Sequence, residues 1–143
     1  MSYEKATRAV LKAAARHSVK ADTPQALLAD CNQELIKLEM LAKMAKSPRW
    51  DKPTATRMAD GIVLACRKLA QRVEALFPMT QDAHNAISSL SHVAHWLQGY
   101  VETHRRTTPN GSVMSMADWI NSETAYLEGA INYIKRAIIK GGR

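Results

Sequence analysis

The stretch "SSLSHVAHWLQGYVETHRR", residues 88–106, places three of the chain's five histidines within thirteen residues, beside a tryptophan and two arginines. Imidazoles at such spacing can ligate a metal, relay protons or act as nucleophiles. Which of these applies depends on where each ring points. At 100° per residue on a helix, His84 and His95 share a polar side with Ser88, Ser91, Gln98 and Glu102, and His92 lies beside them. His92 and His95 are three residues apart and could face one zinc ion. His84 is eleven residues from His95, about 16 Å along a helix axis, so a tetrahedral site needs ligands from elsewhere. The chain has no Glu-x-x-His or His-Glu-x-x-His pattern to supply them. The expectation is no metal site and no cofactor.

Nucleophilic chemistry rests on "AHWLQG", Ala94 to Gly99. It resembles the Ala-His-x-Leu-Lys-Gly core of histidine phosphotransfer domains, which are four-helix bundles with an exposed histidine on a long helix. The resemblance implies that His95 would accept a phosphoryl group and that Gly99 would leave room for a docking receiver domain. The chain departs from the family at Gln98, where the family has a lysine that favours the phosphorylated state. It departs again in "YVETHRR", which replaces a run of small residues. No Gly-rich phosphate loop, Gly-x-Ser-x-Gly or paired Cys-x-x-Cys occurs, so the residues point to a binding protein rather than an enzyme.

These side chains need a scaffold, and the sequence specifies one. Proline and glycine divide the chain into five helical segments at about residues 3–19, 24–46, 54–76, 80–105 and 115–140, with no alternating β-branched run long enough for a strand. Thr23 before Pro24 reads as an N-cap, and Ser115 with Asp118 as a capping box. Each long segment carries an apolar stripe. The stripes run through Leu28, Cys31, Leu35, Leu38, Ala42 and Ala45; through Ala55, Ala59, Ile62, Cys66, Leu69, Val73 and Leu76; through Ala83, Ile87, Leu90, Ala94, Leu97 and Val101; and through Ile120, Leu127, Ile131, Ile134 and Ile138. Spacings of three, four and seven bury one face of each helix, and short connections favour antiparallel neighbours. The predicted fold is all-α: an up-and-down four-helix bundle with an additional N-terminal helix, forming one domain over residues 1–143.

The 143 residues are 46% hydrophobic and 23% charged, an ordinary globular balance without the signature of disorder. The longest aliphatic run, "IVLAC", is far too short to span a bilayer, so no membrane partner is expected, and a cytoplasmic protein with reduced cysteines is. A net charge of +7 favours anionic partners. Lys5, Arg8, Lys12 and Arg16 form one ridge on the first segment, and an up-and-down bundle brings Arg49, Trp50 and Lys52 near Arg105 and Arg106. Cations there would meet phosphates while Trp50 either stacks on a base or closes the end of the core.

The expected function is therefore a small, basic, non-enzymatic accessory protein that contacts nucleic acid or a nucleoprotein complex. The competing class is an adaptor or inhibitor that masks a protein surface, with a homodimer as one form. It rests on two rows away from or flanking the stripes: Ile36, Met40 and Met44, recurring every fourth residue, and Trp119, Tyr126 and Tyr133, recurring every seventh.

Overall fold

The computed structural model describes residues 21–103 and 115–140. These form four helices, α1 (Pro24–Lys46), α2 (Lys52–Leu76), α3 (Gln81–Thr103) and α4 (Met116–Ile139), and no strand occurs among the described residues. The predicted N-terminal helix at 3–19 lies outside the described residues.

Local chemistry sets the helix ends. Thr23 Oγ1 accepts from the Ala26 backbone N–H at 3.0 Å, and Pro24 occupies the first helical position, where no N–H is needed. Asp51 caps α2 by accepting from Thr54 N–H at 3.2 Å. Thr80 does the same for α3 through Ala83 N–H at 3.3 Å. At α4 the capping box is reciprocal, with the Ser115 hydroxyl accepting from Asp118 N–H and the Asp118 carboxylate accepting from Ser115 N–H. The first two helices stop at Ser47 and Phe77, both extended, because Pro48 and Pro78 disfavour helical backbone in the residue before them.

Each helix packs on two neighbours: α1 on α2 and α4, and α3 on α2 and α4. Cross-helix ties show that all neighbours run antiparallel. Arg72 near the end of α2 forks onto Asp22 and Asp30 at the start of α1, with N···O distances of 2.6–2.7 Å. Lys52 at the start of α2 donates to the Glu102 carbonyl near the end of α3 at 3.4 Å, and Lys140 reaches back to Asp82 at 2.9 Å. The last turns of α1 face the first turns of α4, where Lys46 and Ala117 line one groove.

The stripes meet in one core, with Leu27, Leu38, Leu41, Ile62, Leu90, Leu97, Ile120, Leu127 and Ile134 fully buried. Sequence spacing places Leu28, Leu35, Leu76, Ile87 and Ile138 on the inner stripes, whereas they lie at the margins, partly buried. Leu27, Leu41, Val63, Ala86 and Val93 take the interior instead. A helix that touches two neighbours buries a face at least 100° wide, so one row of residues under-counts it and its centre shifts.

Among the described residues no helix is long and apolar enough to cross a membrane.

Candidate functional site

The least conventional position in the core is Glu123. It lies on the inner stripe of α4 between Ile120 and Leu127 and is 0% exposed. A carboxylate there is costly unless it is paired. Its partner is His92 of α3, whose Nδ1 donates to Glu123 Oε1 at 2.7 Å, while Glu123 Oε2 is buried with no hydrogen-bond partner among the described residues. Burial pushes the Glu123 carboxyl above its ordinary value, and the hydrogen bond from His92 works against that rise.

His92 is thereby held at the α3–α4 seam, 29% exposed, with its ring stacked on Tyr126 at 3.7 Å between centroids and 10° between planes. Further along α3, Trp96 sits 6.2 Å from His92 and stacks on Tyr100 at 6.4 Å and 12°. Tyr100 in turn tilts against Trp119 at 5.3 Å. His95 meets Trp96 edge-on at 4.7 Å. Rings from two helices thus form one connected series, buried at Tyr100 and open at Trp96 and Tyr126, which are 46% and 42% exposed.

The two sequence rows assigned to protein binding divide on folding. Ile36 and Met40 of α1 are exposed at 54% and 52%, while Met44 is half-buried. Trp119 and Tyr133 pack partly buried against the core, and only Tyr126 of that row is open. Arg136 lies over the Tyr133 ring at 5.4 Å.

Of the proposed phosphate contacts, Arg49 and Lys52 are exposed in and after the α1–α2 connection. Trp50 packs partly buried against the core. The Lys52 bond to Glu102 O brings this connection to the end of α3, immediately before Arg105 and Arg106 in the chain. Lys5, Arg8, Lys12, Arg16, Arg105 and Arg106 themselves lie outside the described residues.

His84 and His95 are exposed, as the wheel placed them. Gln98, which stands at the lysine position of the phosphotransfer motif, donates to Asp60 of α2. Among the described residues a Cβ on Gly99 would meet nothing within 4 Å. No group of three or more His, Cys, Asp or Glu side chains that could hold a metal ion occurs among the described residues. Cys31 and Cys66 are both free and buried, and burial pushes each thiol up to about 12.

Sequence reasoning missed the Glu123–His92 pair. A signal was present, because Ile120, Glu123 and Leu127 are spaced three and four apart and the carboxylate therefore falls on the stripe itself. The identity of its partner was not readable, because residues 92 and 123 meet only when two helices set their relative rotation. No family model matches the chain, and neither a curated protein nor a solved structure matches it.

Proposed function

We propose that the chain is a small, non-enzymatic accessory protein that contacts nucleic acid, or a nucleoprotein complex, through phosphate-directed lysines and arginines. The observation that carries this reading is the partition of charge. Residues 21–103 and 115–140 hold twelve Lys and Arg and twelve Asp and Glu, a net of zero. The whole +7 therefore resides in the remaining segments: +4 in 1–20, +2 in 104–114 and +1 in 141–143. A neutral helical bundle bearing strongly basic flanking segments suits polyanion contact, because phosphate binding gains from counterion release wherever cations cluster.

In this reading residues 3–19 add a further helix that presents Lys5, Arg8, Lys12 and Arg16 on one side, and Arg49 and Lys52 extend the contact with Arg105 and Arg106. The protein acts in the cytoplasm, where Cys31 and Cys66 remain thiols. The test is a titration of the whole chain against single- and double-stranded DNA and RNA from about 50 mM salt upward, with charge reversal at Arg8 and Lys12. Binding should weaken steeply with salt, and each lost phosphate contact should flatten the slope of log Kobs against log salt by about 0.7 to 0.9. No binding at the lowest salt to any of the four probes eliminates direct contact.

A second reading is favoured by the exposure of Ile36 and Met40 at 54% and 52%. Adjacent large apolar side chains on one helix face suit an adaptor that masks a partner surface or pairs with its own copy. Light scattering of wild type and an Ile36→Glu, Met40→Glu variant tests the homodimer. A monomer at all concentrations removes it.

A further inference from the structure

We infer that the aromatic series on the α3–α4 seam is a stacking platform for single-stranded nucleic acid, read through Trp96 and Tyr126. This deepens the nucleic-acid reading and rests on it. The basic segments would engage phosphates of any strand, whereas the seam would select unpaired bases.

Four observations support it. Trp96 and Tyr126 are large and apolar yet nearly half exposed, and both lie on the same pair of helices. Neither ring is loose: Trp96 is stacked on the buried Tyr100 and braced edge-on by His95, and Tyr126 is stacked on His92. Rings already fixed in place lose little conformational freedom when a base stacks on them.

The restraint also reaches into the core. Tyr126 is positioned by His92, and His92 by the fully buried Glu123. A buried carboxylate with one unpartnered oxygen is a cost that a plain leucine seam would avoid, and orienting a binding surface accounts for keeping it.

The charge environment is complementary to a polyanion. The outward rows of the seam, Ser89, His92, Trp96 and Gly99 on α3 and Ser122, Tyr126, Gly129 and Tyr133 on α4, contain no carboxylate. Arg136 lies over Tyr133 at one end of the α4 row. Among the described residues, Gly99, and Gly129 with only Ser89 Oγ at 4.0 Å from its added Cβ, keep the flanks of the exposed rings low. Stacking on aromatic side chains tolerates any base, since every base has a π face, and a duplex offers none except at its ends.

The experiment uses the full chain, a fluorescein-labelled dT oligonucleotide of about 20 nucleotides, and a duplex of the same length, read by anisotropy at low salt. Trp96→Ala and Tyr126→Ala should each weaken single-strand binding by about 5- to 150-fold while duplex affinity and the salt slope stay unchanged. Trp96→Phe should recover most of the loss, and it guards against a variant that fails only because it unfolds. Charge reversal at Arg8 and Lys12 should instead weaken both probes and flatten the salt slope. If both alanine variants bind the single strand as wild type does, while charge reversal abolishes binding, the platform is wrong and the phosphate reading stands. Absence of binding to both probes by wild type removes both. A wild-type dimer that Trp96→Ala dissolves without affecting nucleic-acid affinity gives the surface to a second copy and overturns the assignment.

Discussion

Replacing His92 with alanine tests whether the Glu123 carboxylate is as deeply committed to its partner as the geometry implies. Glu123 is 0% exposed, and among the described residues its cross-helix hydrogen bond comes from His92 Nδ1 at 2.7 Å. Removing one member of a buried pair leaves an uncompensated polar group and costs about 3 to 5 kcal/mol. The His92 ring is 29% exposed, so water can reach the vacated edge, and the lower end of about 3 kcal/mol is expected. In urea, with a slope near 2 kcal/mol/M, that is a fall in midpoint of about 1.5 M.

The complementary variant replaces both residues with leucine. It removes the charge and its partner together and should be neutral or stabilising by about 1 to 4 kcal/mol. Acidity separates the two further. With its carboxyl held above the ordinary value of 4.5, Glu123 binds more protons in the folded than in the unfolded state. Its contribution to stability is thus complete below the ordinary value and is lost as pH rises through the folded one. In the His92→Ala background stability should recover as pH falls from neutral toward 4.5, and Glu123→Gln should abolish the recovery. Ser122, Tyr100 and Cys66 also interact with this carboxyl, and only their ordinary forms are present over that range. A His92→Ala cost under about 0.5 kcal/mol at neutral pH, typical of a surface position, refutes the reasoning.

Leu97→Ala and Ile131→Ala, at core positions 0% and 4% exposed, should each cost about 2 to 5 kcal/mol in the same urea assay; surface-like values at both would mean the helices are rotated differently. Cys31 and Cys66 should resist thiol reagents in the folded chain and react fully once it is unfolded, since both are buried and pushed up to about 12; rapid labelling of native protein contradicts their placement. Phosphorylated receiver domains should transfer no acid-labile phosphate to the chain, because Gln98 is tied to Asp60 where the phosphotransfer motif has its lysine; transfer abolished by His95→Gln would reverse that expectation.

Helix content was legible in the sequence because its determinants are local. Thr23-Pro24 and the Ser115–Asp118 box mark helix starts through hydrogen bonds spanning three residues, and Pro48 and Pro78 mark stops through contact with the preceding residue. The outward placement of His84 and His95 followed from the 100° step alone. The charge partition is likewise a matter of composition along the chain, although its meaning depended on which segments form the bundle.

Only the tertiary structure decided what happens between helices. Whether Leu27 or Leu28 is innermost depends on a few tens of degrees of rotation, which is set by packing against two neighbours at once and leaves the stripe pattern in the sequence almost unchanged. The same rotation divided the Trp119, Tyr126 and Tyr133 row, burying most of its ends and opening its middle. It also brought His92 to Glu123 across 31 residues of sequence, a pairing that no local spacing encodes because it exists only where two antiparallel helices meet at one rotation and one height.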